Sequence, residues 1–541
     1  MRVRTNPREL LFWIVIILLN CSGLILLQTY PFTDLPNHLA AATVFKYRTD
    51  LASPFLSAYT STVTWYQPTV AHIVLCSFFP SVESGNAILL LLYVVSVPAA
   101  VALIARKCGG SSFVALLSVL TLWNFNMMWG FAGYTLAIPL VLLSIYLHLG
   151  GRDRHPGLQL AALGVVFLLL YWFHVLAFLF AALCYACMEV YRAFAMRSVS
   201  RILLRFTPLL PSGVLLILWV VAGREFQNPS TLGFLQEYYS THYTLAEPVR
   251  RAWQLFTLDG QAIAAGWVGT LAALLISSSL FIPAVVCVMR YRGHAFRPSP
   301  AQISTLVFVF VALLCFFLLP NELPGQNYLY QRFSVFVLLG IVCVLSWALP
   351  ALWSDLPRYI IPSVVALYSI LWCQYFVSFS TLSAEFVSFF PREKEMWGQT
   401  MGAIICEPDF RGRRCLVHYN NYQIIWNRGI TPTMMVQYRF GAIRRSAREL
   451  PEYDDWVDVR LRLGAGMQSI LFAKAFDQYS TCEYLMTRGE NAYSALKERP
   501  EFEIVRRVNS WTLAKRMTSD ADSGRSAPVQ VPVPPQGTPP G

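Results

Sequence analysis

The sequence predicts an α-helical polytopic membrane protein with about eleven transmembrane helices and a small extracytoplasmic α/β domain. Three observations lead there. Of 541 residues, 56% are hydrophobic and only 13% charged, about half the charge of an ordinary soluble domain. The apolar residues gather in runs of about 18 to 25, the length that crosses a hydrocarbon core about 30 Å thick. From about residue 380 the runs stop, and polar sequence with alternating segments follows. This composition excludes a soluble cytosolic enzyme, a disordered chain and a fibrous repeat, because a water-facing surface cannot absorb so much apolar area.

Taken in order, the runs lie near 10–29, 85–105, 112–129, 131–149, 157–171, 174–190, 202–222, 265–289, 302–319, 333–350 and 359–379. The stretch 157–190 is too long for one span and is split near Tyr171-Trp172-Phe173-His174. The first run is longer than a signal-peptide core and no cleavage site follows it, so it reads as an uncleaved anchor. With the N-terminus in the cytoplasm, the inner loops carry fifteen Lys and Arg and the short outer loops six. That is the bias expected of cytoplasmic segments. The same bias requires 68–80 not to cross, so it reads as an amphipathic helix on the outer surface. The net charge of +12 is read as basic loops facing an anionic leaflet, so membrane lipid is a partner and nucleic acid is not. Most of the twelve cysteines sit inside apolar runs as small hydrophobes.

Three regions follow: a membrane module 1–379 with outer loop one at 30–84, an extracytoplasmic α/β domain 380–517, and a disordered Pro-rich tail 518–541. In the domain, 414–419 and 483–486 read as strands. Residues 501–505 and 511–514 read as a hairpin around Asn509-Ser510. Cys406 and Cys415 can pair or remain thiols.

Candidate chemistry concentrates in the outer loops. Loop one begins Tyr30-Pro31-Phe32-Thr33-Asp34-Leu35-Pro36-Asn37-His38. A carboxylate at the membrane–water boundary can take the proton of an attacking hydroxyl or amine. Equally, Asp before Leu-Pro fits a helix cap with Pro just inside. Asp34 and His38 share a helix face at this spacing. Arg332, after Gln331 at the mouth of a span, suits a lipid phosphate or interfacial snorkelling. His174, near a span end, is either a functional histidine or one bonded to a neighbouring helix. Asn124 suits either a sugar or a helix end. The polar loop 223–264 offers acids with Tyr238, Tyr239 and Tyr243, and reads either as substrate contact or as a solvated loop. No phosphate-binding loop, dinucleotide turn or metalloprotease motif is present.

The run Thr33-Asp34-Leu35-Pro36-Asn37-His38-Leu39-Ala40 resembles the first outer loop of the C-type glycosyltransferase (GT-C) superfamily. So do Tyr66-Gln67-Pro68 opening a surface helix, and the terminal segments Tyr484-Leu485-Met486 and Trp511-Thr512-Leu513. Trp129-Gly130-Phe131-Ala132-Gly133-Tyr134 is similar to uncharacterised bacterial members with a DLPNHLA loop. The resemblance implies a GT-C-like fold in a bacterial inner membrane, and a polyprenyl-phosphate-linked sugar as donor. It also implies inverting transfer on the outer face and Asp34 as catalytic base. The acceptor would be a glycolipid, polysaccharide or protein. Asn37, His38, Asn124, Tyr134, His174, Gln331 and Arg332 are the candidate substrate-binding residues. Many members carry a second acid, or an acidic pair, near the site, and here Asp34 is a lone Asp beside His38. That departure implies no certain cofactor, while a divalent metal keeps a place among the expectations. A transporter or flippase for lipid-linked glycans and a non-catalytic assembly factor are the alternatives. The lack of an obvious repeat and the nearly charge-free spans weigh against transport.

Overall fold

The computed structural model describes residues 7–61, 63–150, 156–195, 202–222, 238–239, 243–244, 246–257, 267–291, 298–323, 327–352, 356–392, 394–432, 443–445 and 465–517. Arg224, Glu225, Glu237, His242, Asp259 and the tail 518–541 lie outside them. Among the described residues ten helices are long and apolar enough to cross a membrane, from Pro7–Ile25 to Tyr359–Phe389. The chain is a polytopic helical membrane protein with a small α/β region at its C-terminal end.

Ten of the eleven expected spans are such helices, and the third takes another form. Its core is a 3-10 helix, Val114–Thr121, followed by the short helix Phe125–Trp129. A 3-10 helix rises about 2.0 Å per residue against 1.5 Å in an α-helix, so sixteen residues reach about 28 Å. This segment does traverse the bundle. Ser111 N–H donates to Ser346 C=O at 2.8 Å, and Asn126 Nδ2 donates to Arg332 C=O at 3.0 Å. Residues 332 and 346 stand at opposite ends of one candidate span, Tyr330–Pro350. Every residue from Val114 to Thr121 is buried, so the apolar run that looked like an ordinary span is an interior strut. Buried polar bonds tie it in: Trp123 Nε1 donates to Asn20 Oδ1 and Asn20 Nδ2 to Ser369 Oγ, each at 2.9 Å. In lipid, such bonds between helices replace the water that is absent.

The break expected within 157–190 falls at His174, between Pro156–Phe173 and Val175–Ala195. The expected surface helix at 68–80 is the seven-residue Ala71–Ser77, far too short to cross, with His72, Ile73 and Cys76 buried. The last long helix, Leu356–Phe389, has 34 residues, about 51 Å at 1.5 Å per residue. Its overhang beyond the expected 359–379 carries Phe386 and Phe389, which meet Trp511 at ring-centroid distances of 5.0 and 5.7 Å.

That overhang is the platform for the C-terminal sheet. Four strands lie in the order Met401–Ile405, Tyr484–Arg488, Trp511–Arg516, Phe502–Val508; the first pair is parallel and the other pairs antiparallel. The hairpin turns at Asn509, whose φ is +51°, a left-handed conformation that Asn tolerates. Alternation divides the sheet's faces. Met401, Ala403, Ile405, Met486 and Leu513 join the large core shared with the membrane helices. Ile404, Leu485 and Ala514 pack on Phe476 and Leu496 of the domain's own helices and on Tyr479 just after one of them. The expected strand 414–419 is not one. Only Arg413–Arg414 pairs, with Asp409–Phe410, and Tyr419–Asn421 is a 3-10 turn. The strand Met401–Ile405 was missed because its short run, buried on both faces, shows no alternation.

Candidate active site

Loop one is fixed by backbone before any side chain acts. Asp34 N–H donates to Trp129 C=O at 2.9 Å, and Thr33 N–H to Met128 C=O at 3.3 Å. This closeness requires Gly130. Its φ is +76°, and a Cβ there would stand 2.5 Å from Leu35 N. The Trp129-Gly130-Phe131 phrase therefore cradles Asp34 from the far end of the third segment.

Asp34 starts the helix Leu35–Lys46, with Pro36 in the first turn, but its side chain makes no cap hydrogen bond. Its φ of −93° and ψ of −4° are already helical, whereas a capping side chain needs an extended residue to reach back over the turn. The capping alternative is thereby overturned. Asp34 is buried, and its carboxylate instead has His418 Nε2 3.4 Å from Oδ1. No described residue donates a hydrogen bond to it. Asn37 Oδ1 accepts from Asn421 Nδ2 at 2.7 Å. His38 packs against His72 with ring centroids 6.0 Å apart. Burial, opposed by the nearby charge of Asp34, holds His38 below the ordinary histidine range.

A second cluster stands beside this corner. Arg332, in the 3-10 turn Tyr330–Phe333, lies 4.0 Å over the Phe131 ring. Its Nη1 is 3.3 Å from His174 Nε2, and Nη2 donates to Asn327 C=O at 3.2 Å. Its Nε is buried with no hydrogen-bond partner, and it forms no ion pair among the described residues. Tyr134 meets the His174 ring edge-on at 4.9 Å, and its hydroxyl is likewise buried and unpartnered. Gln331 Nε2 donates to Asn321 Oδ1 at 2.6 Å, while its Oε1 is unpartnered. His174 Nδ1 accepts from Leu176 N–H at 3.2 Å. Asp34 and Arg332 flank one phrase: Trp129 C=O accepts from Asp34 N–H, and the Phe131 ring lies against the Arg332 guanidinium. Between the clusters Trp129 and Tyr328 lie 4.4 Å apart, and Tyr328 holds a φ of +60°.

The structure thus brings together Asp34, His38, Tyr134, His174 and Arg332, with Asn37 and Gln331 at the margins. Asn124 stands apart. It is fully buried and caps Phe125–Trp129, its Oδ1 accepting from Asn126 and Met127 N–H. Its Nδ2 donates to Tyr93 Oη at 2.8 Å and Thr121 C=O at 2.9 Å. Sequence reasoning missed His418, because it lies in the stretch read as a strand and no local pattern links it to loop one. In the polar loop 223–264, Arg251 is fully buried, bonded to Glu247, to Tyr238 and to the carbonyls of Phe316 and Leu319. Those groups anchor the helix Ala246–Phe256 to a span end.

Among the described residues the donor set does not suit a divalent metal. Asp34 is the carboxylate of this corner, and among the described residues no three His, Cys, Asp or Glu side chains converge to hold an ion.

The sequence matches no family model and no curated protein. In three dimensions the chain is similar to the crystal structure of ArnT from Cupriavidus metallidurans bound to undecaprenyl phosphate. The TM-score is 0.50 at 13% identity, over 94% of this chain and 98% of that one. At that identity the likeness is one of fold, and the fold is the GT-C-like one that loop one suggested.

Proposed function

We propose that the protein is an integral membrane glycosyltransferase. It takes a sugar from a polyprenyl-phosphate donor and passes it to an acceptor on the outer face of a bacterial inner membrane. The single observation that carries this reading is the placing of opposite charges at one corner, with Asp34 buried and Arg332 half-buried. Asp34 accepts no hydrogen bond among the described residues, and Arg332 has an unpartnered Nε and no ion pair among them. A carboxylate ready to accept a proton and a guanidinium ready to accept an anion are what sugar transfer from a phosphate needs.

In the proposed reaction the acceptor's hydroxyl or amine attacks the anomeric carbon from the side opposite the phosphate. Asp34 takes the nucleophile's proton. The bond from the anomeric carbon to phosphate oxygen breaks, and polyprenyl phosphate leaves with the electron pair toward Arg332. The attack inverts the anomeric centre. Phe131 beneath the guanidinium and His174 beside it fix the direction of that positive charge. Tyr134 and Gln331 offer hydrogen bonds to the phosphate or sugar, and Asn37 and His38 to the acceptor.

The positive-inside bias supports a cytoplasmic N-terminus and an outer C-terminal domain, given eleven passes. Loop one and the C-terminal sheet then share a side, as their mutual contacts require. The fold likeness supports the donor class, since the neighbour was crystallised with a polyprenyl phosphate. The test is a transfer assay on protein in lipid, with a panel of polyprenyl-phosphate sugars and wild type compared with Asp34→Asn. Release of polyprenyl phosphate that depends on Asp34 is expected. No release from any donor by folded protein returns the weight to transport or assembly.

A further inference from the structure

We propose that His418 is the positioning residue for Asp34, so that the C-terminal domain completes the catalytic corner. The inference rests on reading Asp34 as the general base. Asp34 has no intrahelical partner for its side chain. A carboxylate without one turns among its rotamers, and a base must be aimed before it can act. The partner arrives from the other end of the chain. His418 Nε2 stands 3.4 Å from Asp34 Oδ1, with both side chains largely buried at 15% and 12% exposure.

The approach is held on both sides. Arg414 C=O accepts from the Thr33 hydroxyl, one residue before Asp34, and Asn421 Nδ2 donates to Asn37, three residues after it. Tyr419 Oη donates to Tyr30 C=O at 3.1 Å. The segment 414–421 is therefore held against loop one at several points, and His418 faces Asp34. With the imidazole 3.4 Å from Oδ1, Oδ2 is left for the acceptor. When the acceptor's O–H or N–H bond breaks, its proton passes to Oδ2 as the sugar–phosphate bond breaks, and His418 takes no part in that transfer. His38, the other imidazole nearby, is turned to His72.

The experiment measures kcat and donor KM for wild type, Asp34→Asn, His418→Ala and His418→Gln, with polyprenyl phosphate release as the readout. His418→Ala is expected to lower kcat about ten- to a hundredfold, with donor KM within about twofold of wild type. His418→Gln keeps an N–H donor at similar reach and is expected to recover most of that loss. In the Asp34→Asn background, His418→Ala adds nothing. An unchanged kcat in His418→Ala, an effect confined to KM, or a Gln variant no better than Ala overturns the proposal. If Asp34→Asn is itself active, the general-base reading fails; if it is inactive while His418→Ala is not, this inference alone fails. A readout free of turnover is a cysteine pair, Asn37→Cys with Asn421→Cys, oxidised and mapped by mass spectrometry. The cross-linked peptide is expected, and its absence from folded protein overturns the juxtaposition.

Discussion

The two ends of the helix bundle each hold an acid, a histidine and an arginine, and they use them oppositely. At the end away from loop one, Glu189 is fully buried between His148, at 3.1 Å from Oε1, and Arg205, at 3.5 Å from Oε2. Both carboxylate oxygens have a partner. At the loop-one end Asp34 has His418 at one oxygen only, and Arg332 has no ion pair among the described residues. A buried charge without full pairing is costly, so a fold keeps one only where something else meets it. By ion-pair distance the first acid is faced by a basic group at each oxygen and the second at one only; the first trio is read as structure, and the second is the one proposed as a site.

The largest expected effect comes from removing the base. Asp34→Asn should fold normally, since the side chain caps nothing, while turnover falls about 10²- to 10⁴-fold. Full activity in the folded variant would make the two ends equivalent and end the reading. Glu189→Ala should do the reverse. It leaves Arg205 without its counter-charge and His148 without its neighbour, and is expected to cost about 3–5 kcal/mol of stability. Lower thermal midpoints with turnover per folded molecule retained would confirm the contrast; lost turnover in stable protein would refute it. Arg332→Ala should weaken donor binding about ten- to a hundredfold, the scale of a hydrogen bond to a charged group. A donor KM unchanged in that variant removes Arg332 from the phosphate role.

A pH scan sharpens the comparison. Burial, reinforced by His38 and opposed by Asn86, holds His72 down to about 3 from 6.5. Below pH 6.5 the unfolded chain takes a proton that the folded one refuses, so this contribution is present above 6.5 and is lost as pH falls toward 3. Thermal midpoints should drop on acidification, and less so in His72→Asn. The smallest effect is expected at Asp50, whose carboxylate meets Arg428 at 2.7 Å with side chains 36% and 22% exposed. Asp50→Ala should cost about 0–1 kcal/mol. A larger loss would mean that this pair, rather than the 414–421 contacts, docks the domain.

The legible part of the site was local. Asp34 was visible because a carboxylate just past an apolar run is itself unusual, and Arg332 because a cation at a span mouth is. Gly130 stood in a phrase that attracted notice, yet its reason is a backbone approach that the sequence does not display. Asn124 carried the same local signal as a sugar-binding residue and a helix cap, and its neighbours in space give it the cap geometry. His418 gave no signal, because its partner is hundreds of residues away and its segment is neither strand nor helix.

By itself the sequence determined a polytopic helical chain ending in a small mixed domain. Hydrophobic run length and charge bias are one-dimensional properties, and lipid thickness converts them directly into spans. Tertiary structure decided that one of those runs is a 3-10 strut and that the last helix extends into the domain. It decided as well which histidine reaches the acid of loop one. Each depends on what packs alongside, and contact between distant segments is set by the closed shape of the core rather than by the residues next in line.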